Sequence, residues 1–411
     1  MVYEKMIDER TPDFASRLKE GPVEWGFDYS YIIPRGHMTF PYVFYENNVL
    51  VGDPSKLTTL KSGKVNGGLV TSDGPGDPTW DSSQTGRILT EKIIEFIDNH
   101  LSQNKKNGTD KPFLIHFNTD GAHGPFTPPE TLFGKKLAGH TKITAHTDMV
   151  YEVDIIAGRL VNILKERDIY ANTIIVITSD NGGIPSDRVT SRHDAVGDLR
   201  GFKSTIWEGG TRVPFIVHWG DDTETGSKIK PGIVTNQVIG THDLAVTFAE
   251  IAGVEPGEEQ ALDSVSFLPV LFGKQSEDKP IRESLLIQSA PASDIQFPFT
   301  EFLEPLNNSQ RPIADLLASN PAAMQSHTSH AKAAQDKGFD GIGHAVLKNN
   351  WKLFFGLQDE PQFLANLNDD PKEQTNLLEK SENKNRIEEY QAIYKSIRKS
   401  KRSTTPLKLA E

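Results

Sequence analysis

The sequence of 411 residues contains no cysteine. This absence excludes disulfide bonds, thiolate metal sites and cysteine nucleophiles, because all three need a cysteine sulfur. No apolar run approaches the roughly 18 residues that a membrane-spanning helix needs. Residues 1–19 are charged throughout and lack the apolar core of a secretion signal. We therefore expect no membrane span, and the sequence indicates no compartment.

Basic residues are also in short supply. Lys and Arg together number 44 against 56 Asp and Glu, which gives a formal net charge of −12. Nonspecific binding of nucleic acid needs a basic surface, so we expect no nucleic-acid partner. A local positive site can still hold an anionic ligand in an acidic protein.

The order of helix and strand patterns predicts an α/β fold. Apolar residues at helical spacing indicate helices, and short apolar runs bounded by polar residues indicate buried strands. The predicted helices cover residues 85–101, 144–167 and 241–252, and the predicted strands cover residues 112–118, 174–178 and 213–219. This order favours a mostly parallel or mixed central sheet flanked by helices. The Gly- and Asp-rich residues 65–84 are predicted to form a long loop.

The character of the chain changes after about residue 274. Residues 1–275 are predicted to form the α/β domain, and residues 276–411 a smaller C-terminal α+β domain. The predicted elements of the second domain are strands in 284–289 and 343–356 and a polar helix over 383–399. A long, polar, Ala-rich stretch at about 291–337 indicates an insertion.

A candidate metal site follows the strand at residues 174–178. The strand runs directly into Ser179-Asp180-Asn181-Gly182-Gly183, and ligand sites of open α/β sheets lie just outside such strand ends. Asp180 supplies a carboxylate and Asn181 an amide carbonyl, and oxygen ligands favour Ca²⁺, or Mg²⁺, over zinc. Ca²⁺ takes roughly six to eight oxygens, so these two residues would form only part of a site. A turn without a metal is the alternative.

Cations are concentrated in residues 199–214. Lys203 is a point charge that suits a tetrahedral anion, and Arg200 or Arg212 could clamp or brace that anion. Glu208 is a natural internal partner for one of the arginines. The alternative is an ordinary loop held together by salt bridges.

Two histidines are candidates for acid–base or substrate contacts. His123 lies in a Gly- and Pro-rich loop after the strand predicted at 112–118, where a general acid could protonate a leaving oxygen. His193 follows Gly183 by ten residues and is the second candidate. A surface or structural histidine is the alternative in both cases.

Taken together, these stretches resemble the type I sulfatases of the arylsulfatase type, in the alkaline-phosphatase-like superfamily. The most specific pair of motifs is Ser-Asp-Asn-Gly-Gly at 179–183 and Glu-Gly-Gly-Thr-Arg-Val-Pro at 208–214. The matching stretches occur in the family's order at residues 26–29, 112–125, 151–164, 178–183, 199–203, 208–214, 241–243, 262–266, 351–353 and 368–377. The resemblance implies an alkaline-phosphatase-like sandwich and hydrolysis of sulfate esters.

The resemblance also implies roles for individual residues. Asp180 and Asn181 would ligate Ca²⁺. Lys203 and His123 would contact the sulfate of a small molecule or glycan, and His123 would assist the leaving group. His193 would lie in the substrate-facing loop. The implied reaction is attack of a formylglycine hydrate on sulfur, followed by elimination of the covalent sulfate.

One departure from the family is severe. The formylglycine is made from Cys or Ser in a C/S-x-P-S/A-R motif, and this sequence has neither the cysteine nor the serine version. The paired aspartates and the Gly-Lys-Trp-His segment that precede residues 26–28 in the family are also missing. The resemblance therefore implies a chain truncated before these motifs. We expect it to be inactive alone and to need a complementary N-terminal fragment as a partner.

Two other functions remain open at this point. The first is a non-catalytic sulfatase-like protein that binds sulfated or anionic glycans through Lys203. The second is a phosphodiesterase of the same superfamily, which would use two zinc-type sites with Asp-His pairs. Asn181 stands where the histidine of such a pair would be, which favours one hard cation and a sulfatase.

Overall fold

The computed structural model describes residues 16–184, 191, 193–223, 225–257, 259–288, 342–356 and 358–400. They fall into two compact units, Met1–Ile169 and Tyr170–Glu411. The helices are α1 Thr85–Asn107, α2 Ala145–Glu166, α3 Glu208–Thr211, α4 Asp243–Ile251, α5 Leu268–Leu271 and α6 Lys384–Ser400. The strands are β1 Tyr31–Ile32, β2 Tyr45–Glu46, β3 Val49–Leu50, β4 Thr58–Leu60, β5 Gly63–Val65, β6 Gly68–Val70, β7 Gly74–Gly76, β8 Thr131–Leu132, β9 Lys135–Lys136, β10 Ile174–Thr178, β11 Phe215–Trp219, β12 Leu285–Gln288, β13 Ile342–Lys348, β14 Trp351–Gly356 and β15 Pro361–Asn366. The insertion predicted at 291–337 lies outside the described residues.

Short antiparallel ladders form the β part of the first unit. β1, β2 and β3 make a small sheet, while β4 pairs with β7, β5 with β6 and β8 with β9. The long loop predicted over 65–84 is therefore wrong in part, because β6 and β7 lie within it. The missed signal is Asn66-Gly67, a residue pair favoured in two-residue hairpins. Asn66 takes the left-handed conformation with φ 52° and closes the turn between β5 and β6.

Two long helices confirm the helical patterns of the first unit. α1 runs to Asn107, beyond the predicted end, and stops where Gly108 adopts a left-handed φ of 62°. α2 begins at a capping box, in which the Thr144 hydroxyl accepts from the Thr147 backbone and Thr147 reciprocates. Arg167 after α2 donates to both oxygens of Asp98 on α1, at 2.8 and 3.0 Å. This fork-like pair joins the C-terminal end of α2 to the middle of α1.

The prediction of a strand at residues 112–118 is wrong. These residues belong to no ladder in the described part of the chain. Their side chains nevertheless alternate, since Phe113, Ile115 and Phe117 are half-buried while Leu114 and His116 are exposed. The sequence pattern is thus that of a strand, and what the segment lacks is a hydrogen-bonded neighbour.

The second unit contains the strand that leads into the candidate metal motif. β10 has the bounds predicted from its apolar run, and β11 has nearly those predicted. The two strands pair antiparallel, with Ile174 opposite Trp219 and Thr178 opposite Phe215. Within the described ranges they form a two-stranded sheet, so the mostly parallel or mixed arrangement stays a prediction.

A four-stranded antiparallel sheet, in the order β12-β13-β14-β15, lies in the C-terminal part of the second unit. Its ladder begins where Leu285 faces Leu347, and it reaches Gln288 opposite His344. Successive residues point to opposite faces, so the sheet has two cores. One face packs on α6 with a cluster of Leu286, Val346, Leu353, Phe355, Leu364, Tyr390, Ile393, Tyr394 and Ile397. The other face packs on Ile206 and Trp207.

Contacts of this second face cross the domain boundary predicted at 275/276. Trp207 packs on Phe354 with ring centroids 4.2 Å apart, and both residues belong to the second compact unit. The boundary itself stays a prediction. No helix in the described part of the chain is both long enough and apolar enough to cross a bilayer.

Candidate functional site

The turn after β10 presents two oxygen-bearing side chains. Asp180 is exposed and Asn181 is half-buried. The Ser179 hydroxyl donates to the backbone carbonyl of Asn181 at 2.9 Å, and the side-chain nitrogen of Asn181 donates to the backbone carbonyl of Gly182 at 2.9 Å. Because the turn engages the side-chain nitrogen, the side-chain oxygen of Asn181 remains as an acceptor.

Backbone contacts hold this turn against residues 200–210. The Gly182 amide donates to the Gly210 carbonyl at 2.9 Å, and the Lys203 amide donates to the Gly183 carbonyl at 2.8 Å. A Cβ added at Gly182 would lie 1.8 Å from the Gly209 carbonyl oxygen. Gly182 is therefore required by the close approach of its backbone to that of Gly209. The backbone of the turn that bears Asp180 and Asn181 thus lies beside that of Lys203.

Arg200 has a structural role. Its guanidinium stacks 3.7 Å from the Trp207 ring centroid and donates to the Glu373 carbonyl oxygen at 2.7 Å. Burial lowers the pKa of Arg200 from its ordinary value, and the Glu373 carboxylate opposes this effect. An arginine used in this way braces the loop and does not clamp an anion.

A buried ion cluster fixes the start of α3. The Lys352 ammonium, whose side chain is fully buried, lies 3.0 Å from Glu208 Oε1 and 3.1 Å from Glu373 Oε1. The Glu208 backbone amide donates to Glu373 Oε2 at 2.7 Å. Arg212 reaches Glu208 Oε2 at 3.6 Å, which confirms Glu208 as an internal partner of an arginine. Neither Lys352 nor Glu373 was singled out from the sequence, since both lie more than 140 residues away along the chain.

Lys203 differs from these neighbouring cations. Its backbone is held by Gly183, and its side chain is half-buried. No carboxylate within the described ranges forms an ion pair with its ammonium, whereas Arg212 pairs with Glu208 and Lys352 pairs with Glu208 and Glu373. Among the described residues, the charge of Lys203 therefore remains available to an anion.

His123 lies in a tight turn of the first unit. Its amide donates to the Asp120 carbonyl at 3.1 Å, and Ala122 between them adopts a left-handed φ of 73°. The His123 ring is exposed, and its Nδ1 lies 2.8 Å from the Gly124 carbonyl oxygen. Because a carbonyl only accepts, Nδ1 carries the hydrogen in the neutral ring and Nε2 carries the lone pair. Protonated His123 would then present Nε2–H outward, as a general acid needs.

Two buried groups that the sequence did not reveal lie close to this turn. His37 is buried, and its ring contacts His123 and Asp120. These residues follow it by 86 and 83 positions in the sequence, so no local sequence pattern could predict the contacts. Glu152 on α2 is also buried, and a Cβ at Gly86 would clash with its carboxylate at 2.0 Å from Oε1. Burial raises the pKa of Glu152 to about 7, and the charge of Asp120 adds to the rise.

His193 lies among residues of which only some are described. Its backbone amide donates to the Ser191 hydroxyl at 3.4 Å, and its ring is half-buried. Its contact with a substrate stays a prediction.

The donors after β10 suit part of a hard-cation site. Asp180 and Asn181 supply oxygens only, which agrees with Ca²⁺ or Mg²⁺ in preference to zinc. Within the described residues, however, no group of three His, Cys, Asp or Glu side chains is placed to hold a metal ion. The two residues therefore account for part of a coordination shell. The residues of this sequence cannot supply a formylglycine, because the C/S-x-P-S/A-R motif from which it is made does not occur in it.

Comparison with known protein families gives one match over more than half of the chain. The sulfatase family model matches residues 24–254. An N-acetylgalactosamine-6-O-sulfatase of Bacteroides thetaiotaomicron is 26% identical over 67% of this chain and 57% of its own length. The human N-acetylgalactosamine-6-sulfatase is 26% identical over 47% of this chain and 34% of its own length. The chain thus spans about half, or only a third, of the curated relatives that it matches.

Solved structures share the fold. A Bacteroides thetaiotaomicron protein, from work on the metabolism of multiple glycosaminoglycans, has a TM-score of 0.66 at 22% identity, covering 94% of this chain and 76% of that one. Ps i-CgsB, solved in complex with k-i-k-neocarrahexaose, has a TM-score of 0.57 at 19% identity, covering 95% and 68%. At these identities the likeness is one of fold.

Proposed function

The chain belongs to the sulfatase family, and from this premise we propose that it serves the hydrolysis of sulfate esters, with a sulfated sugar as substrate. The observation that carries the proposal is Lys203, a half-buried cation without a carboxylate partner in the described part of the chain. It is held by its backbone against the turn that bears Asp180 and Asn181. A sulfate ester supplies the tetrahedral anion that such a charge favours. The choice of a sulfated sugar rests on relatives named N-acetylgalactosamine-6-sulfatases.

Each candidate residue has a role in this proposal. Lys203 binds the sulfate oxygens, and His123 donates a proton from Nε2 to the departing sugar oxygen. Asp180 and Asn181 give oxygen ligands to Ca²⁺, which would supply further positive charge to the sulfate when bound. His193 contacts the sugar.

We further propose that none of the 411 residues supplies the nucleophile and that they are inactive by themselves. Support comes from the absent C/S-x-P-S/A-R motif. No step of the reaction through formylglycine is assigned to this chain.

Calorimetric titration of the full chain with N-acetylgalactosamine 6-sulfate, in Ca²⁺, tests the sulfate site. We expect binding of the sulfated sugar and none of N-acetylgalactosamine. Lys203→Ala should weaken binding about 10- to 100-fold, because a charge-assisted hydrogen bond contributes about 1.5–3 kcal/mol. Lys228→Ala, which removes an exposed lysine of the same unit, is the matched control. Equal affinity for both sugars, or an unaffected Lys203→Ala, would count against the proposal.

Two further measurements test the metal and the reaction. Asp180→Ala should abolish Ca²⁺ binding, whereas Asp110→Ala, at an exposed position, should leave it intact. Selective binding of Zn²⁺ by the unaltered chain would instead favour a phosphodiesterase-type site. Sulfate release from an aryl sulfate by the purified chain should be absent. Turnover that Lys203→Ala abolishes would refute the proposed inactivity and leave the sulfatase assignment standing.

A further inference from the structure

Two buried side chains clip the turn that carries His123. His37 is 1% exposed, and its Nε2 lies 3.1 Å from the His123 carbonyl oxygen. A carbonyl oxygen only accepts, so Nε2 of His37 must carry the hydrogen. The Asp120 carbonyl accepts from the His123 amide at 3.1 Å. The Asp120–His123 turn is therefore held by its own hydrogen bond and by His37 from outside.

The other nitrogen of His37 faces the Asp120 carboxyl group. Nδ1 lies 3.8 Å from Asp120 Oδ2, and both atoms are buried without a hydrogen-bond partner among the described residues. Since Nε2 already carries a hydrogen, a neutral His37 turns the lone pair of Nδ1 toward Asp120. A carboxylate would then oppose a lone pair in a buried site, which is unfavourable. One proton shared between the two groups removes the conflict.

Resting on the proposed role of His123, we infer that His37 and Asp120 form a one-proton positioning pair that fixes the His123 turn. The proton resides on Asp120, whose Oδ2 faces Nδ1 of His37 across 3.8 Å, which is longer than a formed hydrogen bond. Burial lowers the pKa of His37 and raises the pKa of Asp120, and both shifts favour this neutral arrangement. Loss of the proton as the pH rises places a carboxylate against the Nδ1 lone pair, which loosens the turn and misaligns His123.

Other groups that face the pair have the expected effects. His123 on the same turn and a hydrogen bond from Thr85, where α1 begins, oppose the rise in the pKa of Asp120. Glu152 on α2 is itself shifted upward in pKa partly by Asp120. A carboxylate at Glu152 would repel a carboxylate at Asp120, which adds to the preference for a protonated Asp120.

Three variants of the full chain test the pair, with the His123 ring followed by NMR of selectively ¹⁵N-labelled histidine. His37→Gln keeps a donor toward the His123 carbonyl, whereas His37→Leu removes it. Asp120→Asn supplies a permanent hydrogen to Nδ1 of His37. Circular dichroism verifies that each variant is folded. His116→Gln, at an exposed position in the same unit, is the control.

We expect the wild-type His123 resonances to show the Nδ1–H tautomer and to shift when the pair loses its proton on raising the pH, in a profile recorded over about pH 5 to 9. Asp120→Asn should keep the tautomer and abolish the alkaline shift. His37→Leu should change the tautomer, and His37→Gln should restore it. If His37→Leu fails to fold, Asp120→Asn decides: altered His123 resonances in this folded variant would overturn the inference, as would an unchanged alkaline shift.

Sulfate binding separates this inference from the proposed function. His37→Leu should weaken binding of the sulfated sugar severalfold, and Asp120→Asn should leave it unchanged near neutral pH. If Lys203→Ala leaves the affinity unchanged while the His123 resonances respond as expected, the proposed function fails and the positioning pair stands. Unaltered resonances in folded His37→Leu would refute the pair whatever the affinity.

Discussion

Replacing Lys352 by methionine tests how the candidate site is anchored. Methionine keeps most of the buried stem and removes the ammonium that lies 3.0 Å from Glu208 and 3.1 Å from Glu373. The Glu373 side chain is fully buried and that of Glu208 is 8% exposed, so two carboxylates would face each other with little water. Removing one partner of a buried ion cluster costs about 3–5 kcal/mol. We expect a loss of that size in the free energy of unfolding.

Lys348 on β13 provides a matched control. It also meets two carboxylates, Glu283 and Glu389, both at 2.8 Å, but these are 42% and 52% exposed. Exposed pairs contribute about 0.2–1 kcal/mol each, so Lys348→Met should cost far less than Lys352→Met. Urea unfolding followed by circular dichroism measures both variants.

Adding Glu373→Gln to Lys352→Met refines the same prediction. The second substitution removes one of the two opposed charges, so we expect part of the lost free energy to return. The double variant is measured beside the single ones. Equal losses for Lys352→Met and Lys348→Met would refute the reasoning, because burial would then have no bearing on the cluster.

Three further changes have predicted directions. Gly182→Ala should lower the free energy of unfolding in urea by about 1–3 kcal/mol, because its Cβ would lie 1.8 Å from the Gly209 carbonyl oxygen. Gly158→Ala in α2 is the control, since a Cβ there meets no atom within 4 Å and should not destabilise the protein. Thr144→Ala removes the N-cap of α2 and should lower the free energy of unfolding by about 1 kcal/mol. An unchanged denaturation midpoint would contradict this prediction. The Glu152 pKa rises from 4.5 to about 7 on folding, so the unfolded state loses this proton first and stability should fall by about 3 kcal/mol as pH rises through that window. Glu152→Gln should flatten this profile, and Glu91→Gln at an exposed position should leave it steep.

Local patterns predicted the elements whose signals lie within a few residues. β10 and α4 are such cases, since an apolar run encodes the strand and α4 ends two residues before Gly253, which adopts a left-handed φ of 69°. The candidate pair Asp180 and Asn181 was also found in this way, from oxygen donors that follow a buried strand. These predictions needed no knowledge of the rest of the chain.

Features set by distant contacts were not predictable. The failed strand at 112–118 has the right side-chain alternation, but pairing depends on a neighbour that its own residues do not specify. Lys352 and Glu373 lie in stretches that match the family, and His37 does not, but no local pattern gives any of the three a partner. Only the fold shows that His37 contacts the His123 carbonyl oxygen and that Lys352 joins Glu208 to Glu373. The sequence likewise left open whether Arg200 clamps an anion or braces the loop.

The pairing of β12 with β13 has a consequence for how this protein can vary. Gln288 faces His344 in the ladder, so two residues that are 56 positions apart in the sequence lie side by side. The entropy of closing a chain segment grows slowly, by about 0.6 kcal/mol for each doubling of its length, so the stability of this ladder depends little on how many residues separate its two strands. The same sheet holds Trp207 on its other face. Insertions or deletions between the two strands should therefore leave the packing of the sheet on Trp207 in place.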